Sequence, residues 1–226
     1  MQRTGLLIPL KSENRYTDIM IFDGVILDID GTIWNTTAIV ADAWTKAIKN
    51  NNYDVKITTD ILKREFGKTM DTIADDLFPS ITGQKRKLLL EQCCAEEQRA
   101  LKINTEKIEY DGVSETIKRI ASTHKIFIVS NCQKGYIELA MDKTGTAPCI
   151  SDYECFGNTG KGKADNIINI IQRNNIASPV YVGDTQGDCD ACEEAGIPFI
   201  WASYGFGEVD SYYAVIKSFD EIEKLI

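Results

Sequence analysis

Three short apolar runs, each ending abruptly in polar residues, set the pattern of the chain. Val25, Ile26 and Leu27 lead into Asp28 and Asp30 before Gly31 breaks the extended pattern. Lys125-Ile-Phe-Ile-Val ends in Ser130 and Asn131, and Pro179-Val-Tyr-Val ends in Gly183 and Asp184, with Asp188 further on. Continuous β-branched and apolar runs of this kind predict strands buried on both faces, as in a parallel sheet. Between the second and third runs, Gly160-Lys161-Gly162-Lys163 precedes Ile167, Ile168, Ile170 and Ile171, whose spacing predicts one face of a helix.

Residues 36 to about 110 depart from this alternation and carry helical patterns only. Ile39, Val40, Ala43, Trp44, Ala47 and Ile48 recur at helical spacing. Thr58 to Phe66 reads as a short capped helix stopped by Gly67, and a longer helix is predicted from Gln84 to Leu101, with Leu90, Cys93, Cys94 and Leu101 on one side. Strand and helix resume after Asp111-Gly112, where Ser114 is the expected N-cap, and Ser218 with Glu221 predicts a capping box for the last helix. Residues 1–19 hold a Leu-Leu-Ile run too short for a signal peptide and read as a loosely packed extension or an upstream start, with the first strand beginning at Met20.

Ligands of an open parallel sheet bind at the carboxyl ends of its strands, so Asp28 and Asp30 are expected where such folds keep their chemistry. A carboxylate there can act as a nucleophile and its neighbour can carry a proton. An acidic strand end alone is also an ordinary turn. Four segment ends that together supply carboxylates, a hydroxyl and a cation narrow the choice.

These segments resemble, in order, the four motifs of the haloacid dehalogenase superfamily, in the branch of small phosphatases that includes phosphoglycolate phosphatase and β-phosphoglucomutase. The resemblance runs from about Met20 to the C-terminus. It implies an α/β fold with a Rossmann-like parallel sheet core, residues 20–34 and 111–226, and a small α-helical cap, residues 35–110, inserted after the first strand. By the same resemblance Asp28 is the nucleophile, Asp30 the acid/base, and Thr32, Ser130, Asn131 and Lys163 hold the phosphate. Lys161 is the alternative to Lys163. Mg²⁺ is the implied cofactor, on Asp28, Asp30 and Asp184 with a backbone carbonyl in the set, and Asp188 supports it directly or through water. Hard oxygen donors suit that ion, and a cation is needed because a phosphate dianion repels an incoming carboxylate.

The implied activity is that of a phosphoric monoester hydrolase acting on a small phosphorylated metabolite through an aspartyl-phosphate. Phosphoglycolate-like, sugar-phosphate, nucleotide and pyrophosphate substrates all stay open. Mutases of the superfamily present a His ten residues past the second Asp, where this chain has Val40, which favours transfer to water. Phosphonate hydrolysis would need a cap lysine, for which Lys68 in Gly67-Lys68-Thr69 is the one candidate. A receiver-like phospho-Asp domain would leave Asp30, Ser130, Asp184 and Asp188 unexplained. Lys68 is also the expected reader of an acidic group on the substrate.

Composition narrows the setting. The chain has 226 residues, 43% of them hydrophobic, and no apolar run approaches the ~18 residues of a membrane span. A net charge of −9 disfavours nucleic acid and anionic membrane as partners, while the oligomeric state stays open. Seven cysteines, an odd number, do not form a disulfide framework in a chain of this size and point to a reducing, cytoplasmic setting. Cys189 and Cys192 have redox spacing but are expected as buried thiols on a helix ending at Gly196; Cys132 and His124 are expected to be structural.

Overall fold

The computed structural model describes residues 21–226; the expected extension over 1–19, and Met20, lie outside them. Among the described residues six strands form one sheet: β1 (Gly24–Leu27), β2 (Lys125–Ser130), β3 (Ile150–Cys155), β4 (Pro179–Gly183), β5 (Phe199–Ala202) and β6 (Ala214–Ile216). The order is β3-β2-β1-β4-β5-β6 with every neighbouring pair parallel, the parallel sheet that the apolar runs predicted and the Rossmann-like α/β core that the resemblance implied. Leu27 is in register with Ile128 of β2 and Val182 of β4. The ends of the three polar-tipped strands therefore lie side by side, and side chains far apart in the chain meet at one edge.

Alternation of side chains along each strand divides the core in two. Val25, Leu27, Ile128 and Val182 face one layer, where α5 (Val113–Ile120), α6 (Tyr136–Thr144) and the C-terminal 3₁₀ turn Phe219–Lys224 pack. Ile26, Phe127, Val129 and Tyr181 face the other, against α8 (Lys163–Asn174) and α9 (Gln186–Ala195); a single turn, α7 (Phe156–Thr159), precedes α8. Covering both faces is what makes the runs continuously apolar. Ile167 and Ile170 are the α8 residues in this core, while Ile168 and Ile171 are only half-buried.

Four helices stand between β1 and α5: α1 (Thr37–Asn50), α2 (Thr59–Glu65), α3 (Met70–Leu77) and α4 (Gly83–Ile103). The expected helical stripe of α1, with Val40, Trp44, Ala47 and Ile48, is buried, and α1 packs chiefly on α4. Thr58 and Thr69 cap α2 and α3 by accepting hydrogen bonds from the backbone N–H groups of Ile61 and Thr72. The segments entering and leaving this helical insertion are bonded to each other: Asn35 N–H donates to Ile108 O at 2.9 Å and Tyr110 N–H to Ile33 O at 3.0 Å.

Three local expectations give way. Among the described residues β1 starts at Gly24; Ile21 before it is exposed, and the Asp23 carboxylate accepts hydrogen bonds from Ala177 and Ser178 N–H. Gly112, not Ser114, precedes α5; the Ser114 hydroxyl bonds Glu109 and the Thr144 carbonyl. Ser218 makes no side-chain cap and its segment is a 3₁₀ turn, since Glu221 accepts from Lys217 N–H. All seven cysteines are free, and Cys189 and Cys192 are buried on α9, as expected. Among the described residues no helix is long and apolar enough to cross a membrane.

Candidate active site

Asp28 and Asp184 are the first residues beyond β1 and β4, and Asp188 lies in the first turn of α9. One carboxylate oxygen from each lies within 4.8 Å of the others, and all three residues are buried. Lys163, the first residue of α8, reaches into this group: its ammonium is 3.1 Å from Asp28 Oδ1 and pairs closely with Asp188 Oδ1. Lys161 stays exposed. Asp188 is fixed further by donors from Thr185, the backbone N–H at 2.9 Å and the hydroxyl at 2.7 Å, in a capping box that starts α9.

Three buried carboxylates share one ammonium, so the protein alone leaves the cluster short of positive charge. Burial pushes Asp28 up to about 6 against the pull of Lys163, and burial with the charges of Asp188 and Asp28 holds Asp184 well above the usual carboxylate range. Burial also raises Asp188, but Lys163 and Thr185 outweigh it and keep Asp188 below that range. Asp184 Oδ2 accepts from Phe206 N–H at 2.7 Å, whereas Asp184 Oδ1 and the neighbouring Thr32 hydroxyl are buried without a protein hydrogen-bond partner. A hard, all-oxygen donor set with excess negative charge and an orphaned carboxylate oxygen fits a Mg²⁺ ion.

The backbone is built tightly around Asp184. Gly31 has φ +82°, and a Cβ there would lie 2.0 Å from Asp184 Oδ2; a Cβ at Gly205 would lie 2.3 Å from Asp184 Cβ. The break after the Asp28-Ile29-Asp30 segment thus serves two ends, a left-handed turn and room for the carboxylate next to it.

Asp30 is turned away from the carboxylate cluster. Its Oδ1 accepts hydrogen bonds from Trp34 Nε1 (3.0 Å), the Thr36 hydroxyl (3.0 Å) and the Tyr136 hydroxyl (2.8 Å). The Asp30 carboxylate is not among the three that converge there. Burial pushes its carboxyl up to about 7; the Tyr136 bond opposes this, and the charges of Asp28 and Glu97 add to it. Thr36 and Tyr136 escaped the reading of the sequence. Tyr136 opens the helix after β2, and a strand end beside β1 is the signal that could have found it.

The cavity over these groups is lined from the core by Asp28, Asp30 and Ser130 and from the helical insertion by Phe66, Lys68 and Glu97. Asn131 Nδ2 donates to Gly67 O at 2.8 Å, tying the loop after β2 to the turn after α2. Lys68 reaches the cavity edge, but its ammonium is held at 2.8 Å by both Glu65 and Asp76, which leaves it ill placed to receive an acidic group. Val40 is fully buried in α1 packing.

The sequence profile of the haloacid dehalogenase-like hydrolase family matches residues 25–202, which include Asp28, Asp30, Ser130, Lys163, Asp184 and Asp188. Among curated proteins none matches the chain in sequence. Solved structures share the fold at low identity. A predicted phosphoglycolate phosphatase from Haemophilus somnus is 18% identical with a TM-score of 0.79, covering 90% of this chain and 97% of its own. A predicted phosphatase from Clostridium acetobutylicum is 16% identical with a TM-score of 0.76 over 90% and 97% of the two chains. A hydrolase from Pseudomonas syringae is likewise 16% identical, with a TM-score of 0.72 over 90% and 97%.

Proposed function

The chain belongs to the haloacid dehalogenase-like hydrolase family, and from that premise we propose that it is a Mg²⁺-dependent phosphatase hydrolysing a small phosphorylated metabolite through an aspartyl-phosphate on Asp28. The observation that carries this reading is the convergence of Asp28, Asp184 and Asp188 on one point, with the Lys163 ammonium 3.1 Å from Asp28. Nucleophile, anion-binding cation and acidic metal site are then together where a parallel sheet binds ligands.

Mg²⁺ would be held by Asp28, Asp184 and the Asp30 backbone carbonyl, with Asp188 in support; when bound it neutralises phosphoryl charge and orients the group for in-line attack. The chain's residues do the rest. Lys163, Ser130, Thr32 and Asn131 bind the phosphoryl oxygens, and the cavity lining by Ser130 and Asn131 supports that role for those two. An Asp28 oxygen forms the bond to phosphorus as the bond to the leaving alkoxide breaks. Protonated Asp30 gives that alkoxide its proton, then takes one from the water that cleaves the aspartyl-phosphate, leaving inorganic phosphate and free Asp28. An acid raised to about 7 is suited to both transfers at neutral pH.

The helical insertion, residues 35–110, acts as the cap that closes over substrate and keeps water from the first step. Placement in the cytoplasm, and action on small molecules rather than nucleic acid or membranes, belong to the same reading. Phosphate release from a panel of phosphorylated metabolites, with Mg²⁺ and with excess chelator, tests it. Mg²⁺-dependent turnover lost in Asp28→Asn is the expected result; full turnover in chelator overturns the metal assignment.

A further inference from the structure

The part of the cavity beyond the phosphoryl site holds a buried carboxyl group without a cationic partner. Glu97 of α4 lines it and is 3% exposed. Its Oε2 accepts from Trp44 Nε1 at 2.6 Å and its Oε1 from Gln133 Nε2 at 2.9 Å. Both partners are neutral. Buried carboxylates ordinarily have a cationic partner, and truncating a partner from such a pair is costly because the remaining charge is stranded. Among the described residues lining this cavity Lys68 is the sole cation, and Glu65 and Asp76 already claim it. Lys163 is likewise committed to Asp28 and Asp188. Each carboxylate oxygen of Glu97 keeps a further lone pair for a donor arriving in the cavity.

Around Glu97 the lining is aromatic and apolar: Trp44, Phe66, Tyr136, Met70 and Ile73. A carboxylate beside aromatic side chains suits an organic cation, which gains from charge pairing and from contact with the rings together. A leaving group with its own carboxylate would meet Glu97, with Asp30 nearby, and no free cation to offset the repulsion.

We infer that Glu97 is a specificity residue selecting phosphate monoesters of amino alcohols, whose ammonium pairs with it, over monoesters bearing a second anion. The inference rests on the phosphatase reading and narrows it, and it reverses the substrate charge expected from Lys68. Burial pushes the Glu97 carboxyl up to about 7, so it lacks its ordinary charge stabilisation in the free protein, which a cationic ligand restores.

The test is the ratio of kcat/KM for phosphoethanolamine to that for phosphoglycolate, two short esters that differ at the end remote from phosphate, measured in the Mg²⁺-loaded full chain and in Glu97→Gln. Hydrolysis of p-nitrophenyl phosphate is recorded alongside. The wild-type ratio is expected to exceed about tenfold and to fall by about tenfold or more in E97Q, because the amide removes the charge while its carbonyl still accepts from Trp44 and its NH2 donates to the Gln133 carbonyl oxygen once that amide flips. A wild-type preference for phosphoglycolate, or a ratio that E97Q leaves unchanged, overturns the role of Glu97. If wild-type protein spares even the aryl ester, the phosphatase reading has failed and this inference fails with it. Should E97Q fold poorly by circular dichroism, the wild-type ratio alone decides, and a value near or below one counts against the inference.

Discussion

The Tyr136 hydroxyl donates a 2.8 Å hydrogen bond to Asp30 Oδ1, joining the start of α6 to the residue two beyond Asp28. That bond favours the charged carboxylate and offsets part of the rise that burial imposes. Tyr136→Phe keeps the ring against Trp34, 5.4 Å away, and removes the hydroxyl, with its bond to Asp30 and its 3.1 Å contact with the Thr36 hydroxyl. Asp30 then holds its proton to higher pH, so the alkaline limb of kcat/KM should move up by about one pH unit. A limb that stays put, or moves down, would mean that another group sets it.

Asp30→Asn removes the proposed proton donor without changing the size of the side chain. An alkyl phosphate needs a proton on its leaving oxygen, whereas p-nitrophenolate departs without one, so the variant should lose about 10²–10⁴ in rate on the first and far less on the second. Burst kinetics separate this from slow dephosphorylation. Equal losses in the bond-breaking step on both esters would remove the acid role.

Lys163 and Lys161 lie two positions apart but in opposite surroundings, one buried between Asp28 and Asp188 and one exposed. Removing a buried partner strands two carboxylates, a change that typically costs about 3–5 kcal/mol. Lys163→Ala should therefore lower both the denaturant midpoint and kcat/KM, while Lys161→Ala should alter neither appreciably. The reverse ranking would transfer the phosphate-binding role to Lys161.

Asp184 faces two other carboxylates, and that repulsion is relieved either by a cation or by deleting a charge. Wild-type protein should gain about 2.7 kcal/mol when Mg²⁺ reaches a hundred times its dissociation constant. Asp184→Asn should be more stable than wild type in chelator and should gain little from Mg²⁺. Equal Mg²⁺ responses of the two proteins by thermal unfolding would exclude Asp184 as a ligand. Gly31→Ala, which puts a Cβ against the same carboxylate at φ +82°, should cost more than the ~1–2 kcal/mol of a left-handed residue alone.

Glu97 also gives stability a pH dependence. Its carboxyl lies near 7 in the folded chain against an ordinary 4.5, raised by burial against the opposing bonds from Gln133 and Trp44. The folded state binds the proton more tightly, so this contribution is complete below about pH 4.5 and is lost as pH rises towards 7, up to ~3 kcal/mol. Stability of E97Q relative to wild type should rise across that window when followed by urea midpoints. A constant difference would show that Glu97 titrates normally.

The sheet and its polar ends were legible because both have sequence signatures. A strand buried on two faces must be continuously apolar, so Val25 to Leu27 and Ile126 to Val129 declare themselves, and Asp28, Ser130 and Asp184 follow as the next polar residues. The helical insertion was legible for a similar reason, since the Trp44 stripe and Thr58 cap are local. What a pattern along the chain does not carry is partnership across it. Ser114 looks like an N-cap, yet Glu109 and the Thr144 carbonyl claim its hydroxyl. Lys68 looks like a free cation, yet Asp76 folds back to it from α3. Thr36, Tyr136 and Glu97 were invisible because a lone hydroxyl, aromatic or acid acquires meaning only once another segment is beside it.

The paired linkers through Asn35 and Ile108 constrain how the cavity can open. Two independent tethers would let the helical unit wander in any direction, as a weight swings on a cord. Here the outgoing and returning chains are laced together by main-chain hydrogen bonds, and Trp34 bridges Glu109 between them. A two-stranded ribbon bends across its flat face far more readily than within its plane. For the cap proposed above, such a ribbon favours the motion of a door on a hinge plate, one swing about one axis. Trp34 of this ribbon also donates to Asp30, so the pivot and the proposed acid would share a side chain, and a swing of the door would be felt at the seat of the acid.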